Sequence, residues 1–226
     1  MNPTPTNAEL ADALIDIVPL SLDDEFDTQM APLKEAARRL RVAEIPLPTD
    51  ATTLPKLKLA DGESIISVSL VNGEPKHWDA ATATTLGAQG PDSRTWDNLP
   101  PSSAPRTALF FIAGHTGQVV KRASVGAEGW VLDPFSRQAV ATHLKSVGEP
   151  LLKASGSTPL DAGCADSLEA YGSDWTPNLP AEFKKRRGYD LLPHLPELVA
   201  GGTPEAEKVR HDWGKTLTEL VNENYL

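Results

Sequence analysis

Hydrophobic and polar positions repeat with recognisable periods in several stretches of the chain. Residues 7–19 (NAELADALIDIVP) place Leu10, Leu14 and Val18 four apart, which predicts a short helix ended by Pro19. Residues 31–42 (APLKEAARRLRV) bring Leu33, Ala36, Ala37 and Leu40 to one face and predict a second helix. After a proline-punctuated connection, residues 64–71 (SIISVSLV) put Ile66, Val68 and Leu70 on every second position, the period of a half-buried strand. Asn72-Gly73 then supplies a hairpin turn. Residues 79–106 are polar and read as loop.

The second half opens on a different pattern. Residues 107–113 (TALFFIA) are apolar without interruption between Pro105 and Gly114, which predicts a strand buried on both faces. Val119-Val120 continue a hairpin, and Ser136 caps a helix over RQAVATHLKSVGEPLLKA with Ala139, Val140 and Leu144 inward. LDAGCADS reads as a weak strand. Thr176-Pro177 open a short helix that stops at Gly188. Thr203-Pro204-Glu205 open the last helix, whose buried stripe is Val209, Trp213, Leu217 and Leu220. That helix runs to Tyr225-Leu226 with no stop signal, as in a chain cut within a longer polypeptide.

From Thr107 onward the order is strand, loop, strand, helix, strand, helix, helix, which suggests βα repeats. The expected fold class is α/β. A loop-rich α+β region with short helices and a hairpin (residues 1–105) precedes the first part of a (β/α)8 barrel (residues 106–226). A closed barrel takes ~250 residues, so the second region holds roughly half of one. The 16 glycines and 20 prolines agree with extensive loops.

Charge and cysteine content narrow the function. With 21 Lys+Arg against 31 Asp+Glu, the net charge of −10 argues against nucleic-acid binding. Lys121-Arg122 follows the Gly114–Gly117 loop without the pattern of a phosphate cradle. Lys184–Arg187 reads as a helix surface pairing with Glu182 and Asp190. Cys164 alone rules out an internal disulfide and a cysteine-built zinc site. His194 and His211 sit among apolar residues and read as structural. No apolar run approaches the ~18 residues of a membrane span, and the N-terminus lacks a secretory signal pattern.

The densest group of reactive side chains is Asp166-Ser-Leu-Glu169-Ala-Tyr171-Gly-Ser-Asp174-Trp175, where a strand gives way to a loop. Carboxylates beside aromatic rings suit a sugar: an acid protonates the glycosidic oxygen while ring faces cover the apolar side of the pyranose. The plainer alternative has Asp166 capping a helix, Glu169 in solvent, and Tyr171 and Trp175 in the core. Asp133-Pro134 likewise either holds a ligand hydroxyl or caps the helix that follows.

Three ordered blocks give these residues a context. TGQVVKRASVGAEGWVLDPFSRQAVATHL (116–144), ADSLEAYGSDWTPNLPAEFKKRRGYDLLPHLPEL (165–198) and RHDWGKTLTEL (210–220) together resemble the bacterial α-L-rhamnosidases of glycoside hydrolase family 106. The resemblance implies a (β/α)8 barrel that removes terminal L-rhamnose from a glycan or glycoside with inversion, using two glutamates and a bound calcium ion. By position it makes Glu169 the general acid and Asp166 a substrate ligand or its support. Tyr171, Trp175 and Asp133 join the substrate-binding set. Such an acid must hold its proton near neutrality, which burial achieves. The second glutamate belongs to a later strand absent from this chain; Glu219 and Glu223 lie on the last helix and are not assigned to the role. Calcium ligands are not named, because no dense carboxylate loop of recognisable spacing occurs. The family suggests a bacterial periplasmic or secreted enzyme. Two rivals stand beside this reading. One is a non-catalytic carbohydrate-binding or interaction module stacking sugars on Tyr171 and Trp175; the other is a different barrel glycosidase sharing the Asp-Ser-Leu-Glu turn.

Overall fold

A computed structural model describes residues 36–87, 99–123, 128–158, 160, 162 and 168–226. The helix expected over 7–19, Asp166 and most of LDAGCADS lie outside those residues. Four strands, β1 (Arg38–Leu47), β2 (Ser64–Glu74), β3 (His77–Gly87) and β4 (Arg106–His115), form one sheet in the order β1-β4-β2-β3. Every neighbouring pair is antiparallel.

The uninterrupted apolar run makes β4 a central strand, buried from Arg106 to Gly114. Leu109, Phe111 and Ala113 face a helix layer, while Ala108, Phe110 and Ile112 face Leu54, Leu99 and the partly buried Leu57 and Leu59. Burial on both faces thus holds as the sequence predicts. The parallel sheet does not: no strands pair in parallel among the described residues, and the partial (β/α)8 barrel is replaced by a mixed α/β arrangement on an antiparallel sheet. Because β4 lies between β1 and β2, the division expected at residues 105/106 passes through one sheet.

Two strands occupy stretches that read otherwise. Part of the helix expected over 31–42 is the start of β1, where Leu40 and Val42 pack toward the helix layer and Ala43 and Ile45 toward the other face. Pairing with β4 outweighs the local helical period there. β3 lies in the polar segment read as loop; it is a sheet edge, so one side needs no apolar cover. In β2, Ile65 pairs with Ile112 and Ser67 with Phe111, which leaves Ile66 as an inserted residue. This bulge sends Ile66 to the helix side while Val68 and Leu70 face the opposite layer, so the three do not share a face. The hairpin turns at Pro75-Lys76, with Lys76 at φ 66°, rather than at Asn72-Gly73.

The helix layer begins with α1 (Arg137–His143), a π-helical turn (Leu144–Gly148) and α2 (Glu149–Ser155). Ser136 caps α1, its hydroxyl accepting from the Ala139 amide at 3.2 Å. Ala139 is buried, but Leu144 on the π turn is 57% exposed, against the inward placement its spacing predicts. The next helix, α3 (Leu179–Arg187), starts after Asn178 rather than at Thr176-Pro177 and stops at the left-handed Gly188. A 3-10 turn (Leu192–His194), α4 (Leu195–Ala200) and α5 (Pro204–Asn224) follow. Thr203 caps α5 by accepting from the Ala206 amide at 3.1 Å. Val209, Leu217 and Leu220 are buried and Trp213 partly so, joining Trp175, Leu179, Phe183, Leu191 and Leu195 over β4. The basic run meets Glu182 and Asp190 as expected, and also clamps α5: Arg186 holds Glu223 at 2.6 Å and Arg187 holds Thr216 at 3.0 Å and Glu219. Among the described residues no helix is long and apolar enough to cross a membrane.

Candidate functional site

The residues around Glu169 are held by the free edge of β1 and by the hairpin after β4. An edge strand offers unpaired backbone groups, and here a loop takes them. The Asp174 and Trp175 amides donate to the Arg38 carbonyl at 3.0 and 3.2 Å, and the Leu40 amide donates to Asp174 Oδ1 at 2.6 Å. Just before this stitch, Ala170–Ser173 form a β-turn closed by the Ser173 amide on the Ala170 carbonyl at 3.2 Å. Gly172 sits at φ 67° in that turn, a conformation that a side chain would strain.

The hairpin contributes the second support. The Val131 amide donates to the Gln118 carbonyl at 3.0 Å and the Val120 amide to the Gly129 carbonyl at 2.8 Å, so Val119 and Trp130 lie opposite each other. The Gln118 side chain turns to the loop. Its Oε1 accepts from the Tyr171 amide at 2.7 Å, and its Nε2 donates to the Glu169 carbonyl.

Glu169 itself is exposed, and Tyr171 is 66% exposed beside it. The Tyr171 hydroxyl is held above its ordinary pKa by its hydrogen bond to the Glu169 carboxylate and by that group's charge. Asp174 is pushed up by burial, against the Leu40 amide and Arg39, which favour its ionised form.

Two of the expected substrate ligands are placed otherwise. Trp175 is 1% exposed and packs in the main core, so its ring faces protein and offers no stacking surface. Asp133 is also 1% exposed, and its Oδ1 accepts from the Phe135 amide at 2.9 Å; it caps the turn before α1. Asp166 lies outside the described residues. The structure therefore brings Glu169 and Tyr171 together and adds Gln118 and Asp174. Asp174 stands within the acidic-aromatic group but has no role marked in the sequence. Gln118 carries no local signal at all, because its partners lie 51 and 53 residues away.

The described residues do not enclose Glu169. A cavity of about 370 Å3 opens elsewhere, lined mainly by Pro180, Ala181, Leu191, Leu192 and Pro193 with Lys184 and Asp190. No group of three or more His, Cys, Asp or Glu able to hold a metal ion occurs among the described residues.

Comparison with known proteins places the chain in a family. A curated relative, a putative beta-glucuronidase of Formosa agariphila, is 32% identical over 121 residues, 50% of this chain and 10% of that protein. A family model described as alpha-L-rhamnosidase, glycoside hydrolase family 106, matches residues 96–226, more than half the chain. The chain belongs to that family. A rhamnosidase structure from Novosphingobium sp. PP1Y shares the fold with a TM-score of 0.50 and 21% identity, over 66% of this chain and 15% of that one. The chain thus spans about a tenth to a seventh of the length of these relatives. The matched stretch holds β4, the hairpin, the Glu169 loop and the helix layer.

Proposed function

We propose that the chain is part of an enzyme that hydrolyses terminal α-L-rhamnosyl linkages in a glycan or glycoside, with Glu169 as the general acid. The observation that carries the proposal is the placement of an exposed carboxylate on a loop braced from two sides, within the family-matched stretch. The Glu169 carboxylic acid gives its proton to the glycosidic oxygen as the bond to the anomeric carbon breaks. In the inverting course a second carboxylate, ~6.5–9.5 Å from the first, activates water on the opposite face of the ring. The enclosure of Glu169 and the base are proposed to come from residues beyond the described ones. The Tyr171 ring, exposed at 66%, is proposed to cover an apolar sugar face, and Asp166 is proposed as a further ligand. Calcium remains a family-based proposal, and no step runs through it.

A module that binds sugar without chemistry is less well supported, because one of its two stacking rings, Trp175, is inside the core. Proton NMR of the first sugar released from an aryl α-L-rhamnoside tests the mechanism. Initial release of β-L-rhamnose agrees with inversion, and initial α-L-rhamnose contradicts it.

A further inference from the structure

From the Gln118 contacts we infer that its side chain acts as a positioning residue that fixes the Glu169 carboxyl group by gripping the backbone on both sides of Ala170. The inference deepens the proposed function and rests on the reading of Glu169 as proton donor. Gln118 is half-buried on the hairpin and reaches across to a loop more than fifty residues later. The orientation of its amide is dictated by its partners. A backbone N–H at Tyr171 requires an acceptor, so Oε1 faces it; a carbonyl at Glu169 requires a donor, so Nε2 faces that. One planar group thereby satisfies a donor and an acceptor two residues apart, much as a neighbouring strand would.

The grip matters because of what the loop lacks. Glu169 precedes the Ala170–Ser173 turn, and the anchorage to β1 begins only with the Ser173 hydroxyl on the Arg38 carbonyl at 3.3 Å. Between Leu168 and Gly172 the hydrogen bonds to another part of the fold, among the described residues, are those of Gln118. The hairpin bearing Gln118 is itself tied to the main sheet's margin, with the Ala37 amide on the Val131 carbonyl at 2.8 Å and the Thr116 amide on the Ala37 carbonyl at 2.9 Å. Rigidity therefore passes from the segment leading into β1, through the hairpin and one side chain, to the acid. A proton donor displaced by ~1 Å loses on the order of a hundredfold in rate, so a support of this kind is set by the chemistry it serves.

The test reads the position of the Glu169 carboxyl through its neighbour, the Tyr171 hydroxyl, in the whole polypeptide. Tyr171 is titrated by NMR in the native chain and in Gln118→Ala, Gln118→Glu and Glu169→Gln, and amide hydrogen exchange is followed at Tyr171 and Leu40. With the grip removed in Gln118→Ala, the Tyr171 titration is expected to fall to that of Glu169→Gln. Its amide should exchange at least tenfold faster, while the Leu40 amide stays protected. Gln118→Glu retains the acceptor, so the Tyr171 amide stays slow; the donor to Glu169 is lost while the introduced carboxyl group is ionised, and returns when acid protonates it. A Tyr171 titration and exchange rate unchanged in Gln118→Ala overturn the inference. Rhamnoside turnover by the whole enzyme of which this chain is proposed to be part, if it ignores Glu169→Gln, overturns the proton-donor reading instead, and leaves the grip measured by Tyr171 intact.

Discussion

The backbone amide of Leu40 donates to the carboxylate of Asp174 across 134 residues of sequence, at 2.6 Å. It joins the edge strand β1 to the loop that presents Glu169, and it uses a ladder position that the sheet leaves unpaired. Removing the acceptor in Asp174→Ala is expected to cost about 1–3 kcal/mol, the usual loss for a stranded buried donor, with exchange at Leu40 speeding up. Asp174→Asn keeps an acceptor and sheds the buried charge, so at neutral pH it should lie much closer to the native protein. Because burial raises the folded-state pKa of Asp174, the native state binds the extra proton and the native protein gains on acidification relative to the asparagine form. That gain begins as pH falls through the raised value and is complete below the ordinary carboxylate range. Urea titrations of the three proteins between pH 7 and pH 3 measure it.

Arg41 and Glu63 make the opposite case. The guanidinium grips both carboxylate oxygens, at 2.6 and 2.8 Å, and the Ala60 amide adds a third contact at 2.9 Å. These contacts, Arg41 foremost, lower the Glu63 pKa from 4.5 to about 2. The stabilisation is present above the unfolded value and disappears as pH falls through the folded one. Arg41 is 38% exposed, so solvent screens part of it, and Glu63→Gln should lose about 1–2 kcal/mol at pH 7. The difference from the native protein should shrink between pH 5 and pH 2.

Ser67 offers a gain. The bulge at Ile66 sets this hydroxyl on the helix-facing side of β2, fully buried and without a hydrogen-bond partner among the described residues. Ser67→Ala should raise stability by about 1 kcal/mol, the desolvation cost of an unsatisfied hydroxyl. A lower denaturation midpoint in the variant would count against the bulged register.

Arg187 locks α3 to α5 through Thr216 and Glu219, with its side chain 10% exposed. Lysine keeps the charge but not the fork. Arg187→Lys should therefore cost about 1–3 kcal/mol in urea unfolding, whereas a loss below about 0.5 kcal/mol, the scatter of neutral surface changes, would assign the helix packing to apolar contact alone.

The apolar stripe of α5, the cap at Ser136, the start of α5 at Thr203-Pro204 and the two-faced burial of β4 were all legible, because each rests on a local pattern. Sheet direction was not. A strand buried on both faces reads the same in a parallel and an antiparallel sheet, and only the partners of β4 decide between them. The edge strand β3 was hidden by its polarity, and the start of β1 by a helical period that cross-strand pairing overrides. In the site, the Asp-Ser-Leu-Glu sequence stood out as acidic residues among rings. Its motif could not tell an exposed ring from a buried one, and so Trp175 counted as a sugar platform beside Tyr171. Gln118 was invisible for the same reason that distant contacts always are: nothing in TGQVVK points fifty residues ahead.

The account turns on proton donation by Glu169, and leaving-group dependence examines it most directly. Hydrolysis of an activated nitrophenyl α-L-rhamnoside and of an unactivated alkyl α-L-rhamnoside is compared for the whole enzyme of which this chain is proposed to be part, in its native form and carrying Glu169→Gln. A general acid contributes about 10²–10⁴ in rate, and mainly where the departing oxygen is basic. The alkyl glycoside should therefore lose at least a hundredfold in kcat, and the nitrophenyl glycoside far less. Equal turnover of the alkyl glycoside by both proteins contradicts the assignment.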